Sequence, residues 1–312
     1  MPLLKERRKT RQIKVGSQPV GSQAPVSVQS MTNTQTQDVQ ATVTQILSLE
    51  KAGCEIVRAA VPDMEAAKAL EKIKAQIHIP LIADIHFDWR LALASAESGV
   101  DGLRINPGNI GTADKIKAVV DCARAHNLPI RIGVNGGSLE KEIEKQFGVT
   151  ARGMVESALA NIRILEDLGF YDIKVSLKAS DVERTVEAYR QLAPLTDVPF
   201  HVGVTEAGGL YAGITKSAIG IGMLLAEGIG DTIRVSLTRD PVEEIRTGFE
   251  ILRALGLRRR GPELISCPTC GRCKINLFKI AEQVEKALLE RSAQIKVAIC
   301  LLYTSPSPRD HG

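Results

Sequence analysis

Aromatic side chains are scarce: Phe, Trp and Tyr make up 4% of the 312 residues, with a single tryptophan. The basic runs "RRKTR" and "LRRRG" therefore lack the interleaved rings on which nucleobases stack. They are expected as solvated surface, and nucleic acid is set aside as a partner. No stretch approaches the roughly 18 uninterrupted apolar residues of a membrane span, so no membrane partner is expected. The N-terminal "MPLLKERRKTRQIKVG" lacks the apolar core and cleavage site of a secretory signal. The six cysteines show no even disulfide framework. Both features point to a reducing, cytoplasmic setting. Cys54 and Cys122, in apolar contexts, are expected as buried small hydrophobes. A G-x-G-x-x-G after the first strand is also missing, which argues against a doubly wound dinucleotide fold. The net charge of +4 is modest, and 44% hydrophobic with 24% charged residues describes an ordinary globular chain.

What is present is a repeat. Short β-branched apolar runs end in polar or charged residues, and each is followed by a stretch with apolar residues at three- and four-residue steps. The runs are "VSVQSM" (26–31), "IVRAAV" (56–61), "PLIADIH" (80–86), "GLRINP" (102–107), "IRIGVN" (130–135), "DIKVSLK" (172–178), "FHVGVTE" (200–206) and "TIRVSLT" (232–238). Gly53, Gly99, Gly169 and Gly228 fall where helix C-caps belong, and prolines 80, 129 and 199 enter three strands. Eight alternating units imply an α/β (β/α)₈ TIM barrel over residues 1–258. The long interval holding "GSLEKEIEKQFGVTARG" is expected as a loop over the barrel mouth. From 259 to 299 the pattern changes to strand, cysteine loop, helix and strand, the opening of a small, incomplete α+β domain.

The C-terminal strand ends of such barrels carry function. Here they offer Arg58, Asp84, His86, Arg104, Asn106, Arg131, Asn135, Lys174 or Lys178, Glu206, Arg234 and Ser236. An arginine inside a barrel mouth is costly unless it meets an anion, and guanidinium forks match phosphate oxygens. The cations outnumber the candidate carboxylates Asp84 and Glu206, so the set reads as a phosphate or diphosphate site. "NPGNIG" (106–111) and "NGGSL" (135–139) are loops able to present backbone N–H groups to an anion. Glu206 either neutralises a neighbouring cation or does acid/base work on the bound substrate.

"ISCPTCGRCK" places Cys267, Cys270 and Cys273 at two-residue spacing. Structural zinc usually needs a second C-x-x-C or a histidine at ligand spacing, and neither follows. The run also suits iron–sulfur ligation. Spacing alone leaves the two evenly matched.

Nine segments, "VQSMTNT", "VRAAVPD", "ADIHFD", "LRINPGNIG", "IRIGVNGGSL", "VSLKASD", "HVGVTEAG", "IGIGMLLAEGIGDTIRVSLT" and "ISCPTCGR", occur in an order that resembles the 4-hydroxy-3-methylbut-2-enyl diphosphate synthase family. The likeness runs from about residue 10 to 299. It implies a TIM barrel joined to an iron–sulfur domain resembling the ferredoxin-like half of sulfite reductases. The implied activity is reductive ring opening and dehydroxylation of 2-C-methyl-D-erythritol 2,4-cyclodiphosphate in isoprenoid biosynthesis. Electrons would come through a 4Fe–4S cluster from reduced flavodoxin or ferredoxin, in a homodimer. By motif, Arg58, Arg104, Arg131, Asn135, Lys178 and Ser236 would hold the diphosphate, and Glu206 would be the catalytic carboxylate. Cys267 and Cys270 would ligate the cluster, with Cys273 an extra cysteine that the family does not require.

One departure stands out. After a strand like "IKVAI" the family continues with Gly-Cys and V-N-G-P-G-E, whereas this chain reads "CLLYTSPSPRDHG". Cys300 falls near the expected third cysteine, without the glycine or the glutamate. Residues 300–312 are thus expected to be a non-native tail that leaves the cluster site incomplete, with weak iron binding and little activity. The alternative from another class is a zinc-stapled TIM-barrel lyase or transferase acting on a phosphorylated metabolite.

Overall fold

A computed structural model describes residues 4–21, 24–137, 139–266, 276–288, 291 and 293–299. The chain divides into the units Met1–Ile251 and Leu252–Gly312. The first begins with an antiparallel hairpin, β1 (Ile13–Val15) and β2 (Gln18–Val20). Eight strands follow: β3 (Ser27–Met31), β4 (Ile56–Ala60), β5 (Leu81–Asp84), β6 (Gly102–Ile105), β7 (Ile130–Asn135), β8 (Ile173–Lys178), β9 (His201–Val202) and β10 (Thr232–Ile233). They pair in parallel in the order β8-β7-β6-β5-β4-β3-β10-β9, and a Val175–Phe200 bridge closes the ring. This is the expected (β/α)₈ barrel.

The helices on its outside are α1 (Val39–Ala52), α2 (Met64–Lys74), α3 (Trp89–Glu97), α4 (Pro107–Ile110), α5 (Ala113–Ala125), α6 (Lys141–Phe147), α7 (Ala151–Asp167), α8 (Val182–Leu192), α9 (Leu210–Ala226) and α10 (Pro241–Ala254). Local chemistry sets their ends. Asp38, Asp63 and Asp181 accept from the backbone N–H of Ala41, Ala66 and Arg184, satisfying donors that the first turn leaves open. The four predicted C-cap glycines all have positive φ. Prolines 80, 129 and 199 have no N–H to give, but their carbonyls accept from Val57, Leu103 and Val175 on the adjoining strands.

Several local expectations change. The basic run at 7–11 is not free surface. Arg8 lies 3.9 Å over the Phe200 ring and donates to the carbonyls of Ala193, Thr196 and Val198, while Arg11 pairs with Asp197 and Glu166. A guanidinium fork can satisfy several carbonyls at once, which a periodicity scan does not register. The hairpin was not read from sequence at all. It packs Ile13, Val15 and Val20 on Ile56 and Ile82 near the starts of β4 and β5. The interval after β7 contains the short helix α6, which buries none of its residues and so shows no apolar period. The last two strands are two residues each, far shorter than the seven-residue runs of the sequence. Cys54 is buried as expected, but Cys122 on α5 is only half-buried.

The second unit contains β11 (Glu263–Ser266), α11 (Leu277–Leu288) and β12 (Lys296–Ile299), with β11 and β12 parallel. Cys267, Cys270, Cys273 and Cys300 lie outside the described residues, as does the 300–312 tail.

Asp231 ties the barrel floor together. Its carboxylate accepts from Arg7 at 2.8 Å and from the Phe200 N–H at 2.7 Å, and its carbonyl accepts from Ser27. Asp231→Ala is expected to lower unfolding stability by about 3 kcal/mol, the usual cost of leaving a buried charge without its partner. Urea unfolding followed by circular dichroism measures this.

Candidate active site

Side chains alternate across a strand, so every second residue of a barrel strand points inward. On β7 the outward set is Ile130, Ile132 and Val134, and the inward set is Arg131, Gly133 and Asn135. On β8 the inward set is Lys174, Ser176 and Lys178. Register pairs Ala60 with Asp84, Asp84 with Arg104, Arg104 with Arg131, and Arg131 with Lys174. One continuous row of charge therefore crosses four neighbouring strands. Because barrel strands tilt, the row descends from the end of β5 to the start of β8. A second pairing, Asn135 with Lys178, returns to the upper rim. Barrel interiors of this class are normally filled by branched apolar residues; this one is lined with cations.

Asp84 is the central counter-charge. It sits 3.3 Å from Arg58 and 3.1 Å from Arg104, and His86 stands 4.0 Å away at the rim. Burial opposes its ionisation, but Arg58, Arg104 and Arg131 outweigh that and hold its carboxyl down at about 2. Arg58 also donates to the Met31 thioether, a weak acceptor. Burial, countered by Asp84, pushes its guanidinium down to about 10, so it stays charged near neutrality. Arg131 is pushed down by burial and by the charges of Arg58 and Arg104. Burial and Arg131 bring Lys174 down to about 7.

The carboxylate buried against the upper part of this charge cluster beside Asp84 is Glu244 of α10, not Glu206. Glu244 lies 3.5 Å from Arg234 and accepts from Ser30 at 2.9 Å and from the Leu237 N–H at 3.0 Å. It follows Glu243 in the first turn of α10, and sequence does not say which of two adjacent glutamates turns inward. Glu206 is exposed, in the loop after β9, and holds a left-handed backbone at φ 51°. Asn135 and Ser236 are half-buried.

Six basic side chains, Arg58, Arg104, Arg131, Lys174, Lys178 and Arg234, thus face the carboxylates Asp84 and Glu244, with Asp231 of the barrel floor opposing burial at Lys174. Arg104 Nε, Arg131 Nε and Nη1, and Lys174 Nζ are buried without a protein partner. So are both amide atoms of Gln29, His201 Nδ1 and Asn106 Nδ2. Lys174 is 1% exposed and Arg131 4%. A buried polar group without a partner costs free energy, and a buried charge costs several kcal/mol. An anion entering the mouth would offset both. Two glycines make the crowding feasible. A Cβ at Gly133 would lie 2.7 Å from Arg104 Nη2, and one at Gly203 would lie 2.9 Å from Lys178 Nζ.

The loop after β6 is also built in. α4 is one turn with Pro107 at its first position, where a missing N–H costs nothing. The Gly108 N–H is shared by the side-chain oxygens of Asn106 and Asn161, and Asn161 donates in turn to Glu140 at 2.8 Å.

In the second unit no His, Cys, Asp or Glu group of metal-binding size occurs among the described residues. Ser266 and Ile299 are paired in register across β11 and β12. They are the residues immediately before Cys267 and Cys300 in the sequence.

The GcpE TIM-barrel domain matches residues 10–249, which is most of the chain. The chain belongs to the GcpE family. The GcpE protein C-terminal domain matches residues 263–301. The chain is 62% identical over 292 residues to the 4-hydroxy-3-methylbut-2-en-1-yl diphosphate synthase (flavodoxin) of Geobacter sulfurreducens, covering 93% of this chain and 83% of that relative. It is 55% identical to the protein of the same name from Desulfotalea psychrophila, covering 94% and 82%. Among solved structures it resembles dihydropteroate synthase from Stenotrophomonas maltophilia with a TM-score of 0.57 and 13% identity, over 79% of this chain and 98% of that one. That likeness concerns the barrel fold. Membership of the GcpE family removes the zinc-stapled lyase or transferase reading.

Two outcomes are expected of this site. Gly133→Ala should displace the Arg104 guanidinium and weaken pyrophosphate binding at least tenfold, about 1.4 kcal/mol, with the fold retained; calorimetry and circular dichroism check both. The depressed Asp84 carboxyl contributes stability present above its ordinary value of 3.8 and lost as pH falls through about 2. That contribution is about 2 kcal/mol. Denaturant unfolding between pH 5 and 2 should show the slope in wild type and a flatter one in Asp84→Asn.

Proposed function

We propose that this chain is a 4-hydroxy-3-methylbut-2-enyl diphosphate synthase that opens and dehydroxylates 2-C-methyl-D-erythritol 2,4-cyclodiphosphate. The observation that carries the site assignment is the set of buried, partnerless guanidinium and ammonium atoms on the inward faces of β6, β7 and β8. Such atoms fit a compact dianion better than any neutral metabolite. In this reading Arg58, Arg104, Arg131 and Lys178 meet the phosphoryl oxygens, and Asn135 and Ser236 supply neutral hydrogen bonds from the half-buried rim. Asp84 does not touch substrate; it holds Arg58 and Arg104 in place between turnovers.

Two electrons and a proton enter, a carbon–oxygen bond of the cyclic diphosphate opens, and the hydroxyl leaves as water. Glu206 is the proton donor. Its left-handed backbone supports this role, since a glutamate there costs about 1–2 kcal/mol against a relaxed conformation and no buried contact compensates. A 4Fe–4S cluster on Cys267 and Cys270, with Cys300 as the third cysteine, would supply the electrons. The paired ends of β11 and β12 support Cys267 and Cys300 acting together, and Cys273 is left outside the set. The electron donor is a reduced flavodoxin, the carrier in the names of the relatives. A homodimer and a cytoplasmic location complete the reading on the strength of the resemblance. The domains it implies are a substrate barrel to about residue 258 and a cluster-bearing segment from 259 to 299.

Glu206→Gln is expected to keep substrate affinity within a factor of about three while lowering turnover at least 100-fold, in line with loss of a general acid. Glu206→Gly should be equally inactive but more stable by about 1 kcal/mol, because glycine accepts positive φ without strain. Reductive turnover by reconstituted protein, together with urea midpoints, tests the pair. Near-wild-type turnover in either variant removes Glu206 from the mechanism.

A further inference from the structure

Lys178 and His201 form a pair that the charge row does not explain. Lys178 Nζ lies 3.1 Å from His201 Nε2, and both side chains are buried. The backbone that carries the imidazole is tied down from behind: the Tyr189 hydroxyl of α8 donates to the His201 carbonyl at 2.5 Å and accepts from the Leu177 N–H at 3.0 Å. Gly203, next inward on the same strand line, leaves the space through which the amine reaches His201. His201 Nδ1 has no protein partner.

We infer that His201 is a positioning residue for Lys178, and that the substrate diphosphate enters the site together with a proton which the Lys178–His201 pair accepts. This rests on the diphosphate reading above and deepens it.

The groups facing the pair account for the proton. Around Lys178 stand Arg131 of β7, Arg58 of β4, Arg234 beside β10 and, more weakly opposed, Glu244 of α10. Around His201 stand Lys178 and Lys174 of β8, with Arg131 and Arg58 again. No carboxylate lies within hydrogen-bonding distance of either nitrogen among the described contacts. Burial first, and then these cations, pushes both groups well down from their ordinary values. Two protonated nitrogens at 3.1 Å in a dry, positive pocket would repel strongly. That repulsion excludes the doubly protonated pair, and with no described carboxylate in reach and Arg58, Arg131 and Arg234 alongside, burial disfavours even a single ammonium until an anion arrives.

A cyclic diphosphate carries one strongly acidic oxygen on each phosphorus and stays a dianion across the neutral range. Its arrival reverses the local field, so that the ammonium becomes the stable form of Lys178. That ammonium donates to a phosphoryl oxygen on one side and to His201 Nε2 on the other. The acceptor role of Nε2 fixes the imidazole proton on Nδ1. The pair's pKa is thus raised in the complex above its value in the empty site. By linkage, affinity is greatest below the empty-site value. It falls by up to tenfold per pH unit as pH rises, until the bound-state value is passed.

The test is calorimetric titration of the full chain, without reductant, with 2-C-methyl-D-erythritol 2,4-cyclodiphosphate. It is run at one pH near neutrality in two buffers of different ionisation heat, and repeated over a pH series. The substrate does not titrate in this range, so a buffer-dependent heat reports protons taken up by the protein. The expected result is uptake approaching one proton per substrate bound and affinity that falls with rising pH. His201→Leu removes the acceptor that steadies the ammonium in the complex, so uptake should drop by at least half and the pH dependence should flatten. His201→Gln, whose amide oxygen can still accept from the ammonium, should retain both. A purely structural role for His201 would change affinity without changing the proton count in either variant. Binding with equal heats in both buffers overturns this inference and leaves the site reading intact; absence of binding overturns both. Should His201→Leu fail to fold, His201→Gln decides the positioning role, because loss of uptake there overturns it.

Discussion

The contact of Asp84 with Arg58 and Arg104 is the interaction on which the barrel interior depends. A closed eight-stranded barrel has room only for what its inward residues supply, and here those residues are mostly cations. One carboxylate at the end of β5, held ionised at about 2 by three arginines, lets the strands close around that charge. Glu244 does the same for Arg234 from the outside, reaching in from α10. The balance is deliberately short, in the sense that the folded chain retains orphaned donors on Arg104, Arg131 and Lys174. A pocket neutralised by further carboxylates would be more stable and would bind a dianion poorly.

Rigidity follows from where these groups are mounted. All the row residues project from strands rather than loops, so their positions are set by the sheet register and by apolar outer faces such as Ile130, Ile132 and Val134, which pack against helices. The hairpin and the arginines of the N-terminal segment close the opposite end, where Arg7 meets Asp231 and Arg8 lies on Phe200. Glu206 is the exception. It stands exposed on the loop after β9 with a left-handed backbone, so its position is set by that loop and not by the sheet register that fixes the charge row.

Much was legible without coordinates. Eight apolar runs separated by helix-period stretches specify parallel strands with crossover helices, because strand and helix periods differ and neither pattern can satisfy the other's burial. Arginines at strand ends indicate an anion, since nothing else repays their desolvation there. The glycines at helix ends and the prolines at strand starts were legible for equally local reasons. The cysteine spacing pointed to metal ligation without naming the metal, and the family likeness narrowed it.

Other features were decided only when distant residues met. Sequence could not choose Glu244 over Glu243, because both occupy the first turn of α10 and only the packing of that helix beside β3 and β10 turns one inward. It could not find His201 as Lys178's neighbour, since twenty-three positions separate them and the bridge between Val175 and Phe200 aligns their strands. It leaves the run at 7–11 as solvent-exposed, because the groups that receive those arginines come from distant residues: Asp231 for Arg7, the segment 193–200 for Arg8, and Glu166 and Asp197 for Arg11. The sequence by itself determined the alternating strands and helices of the barrel and the sign of the pocket, which follow from local periodicity and residue chemistry. The tertiary structure alone decided which charges are paired, which remain without partners and which glutamate carries strain. Those depend on register and closure, which bring residues from eight strands to one axis.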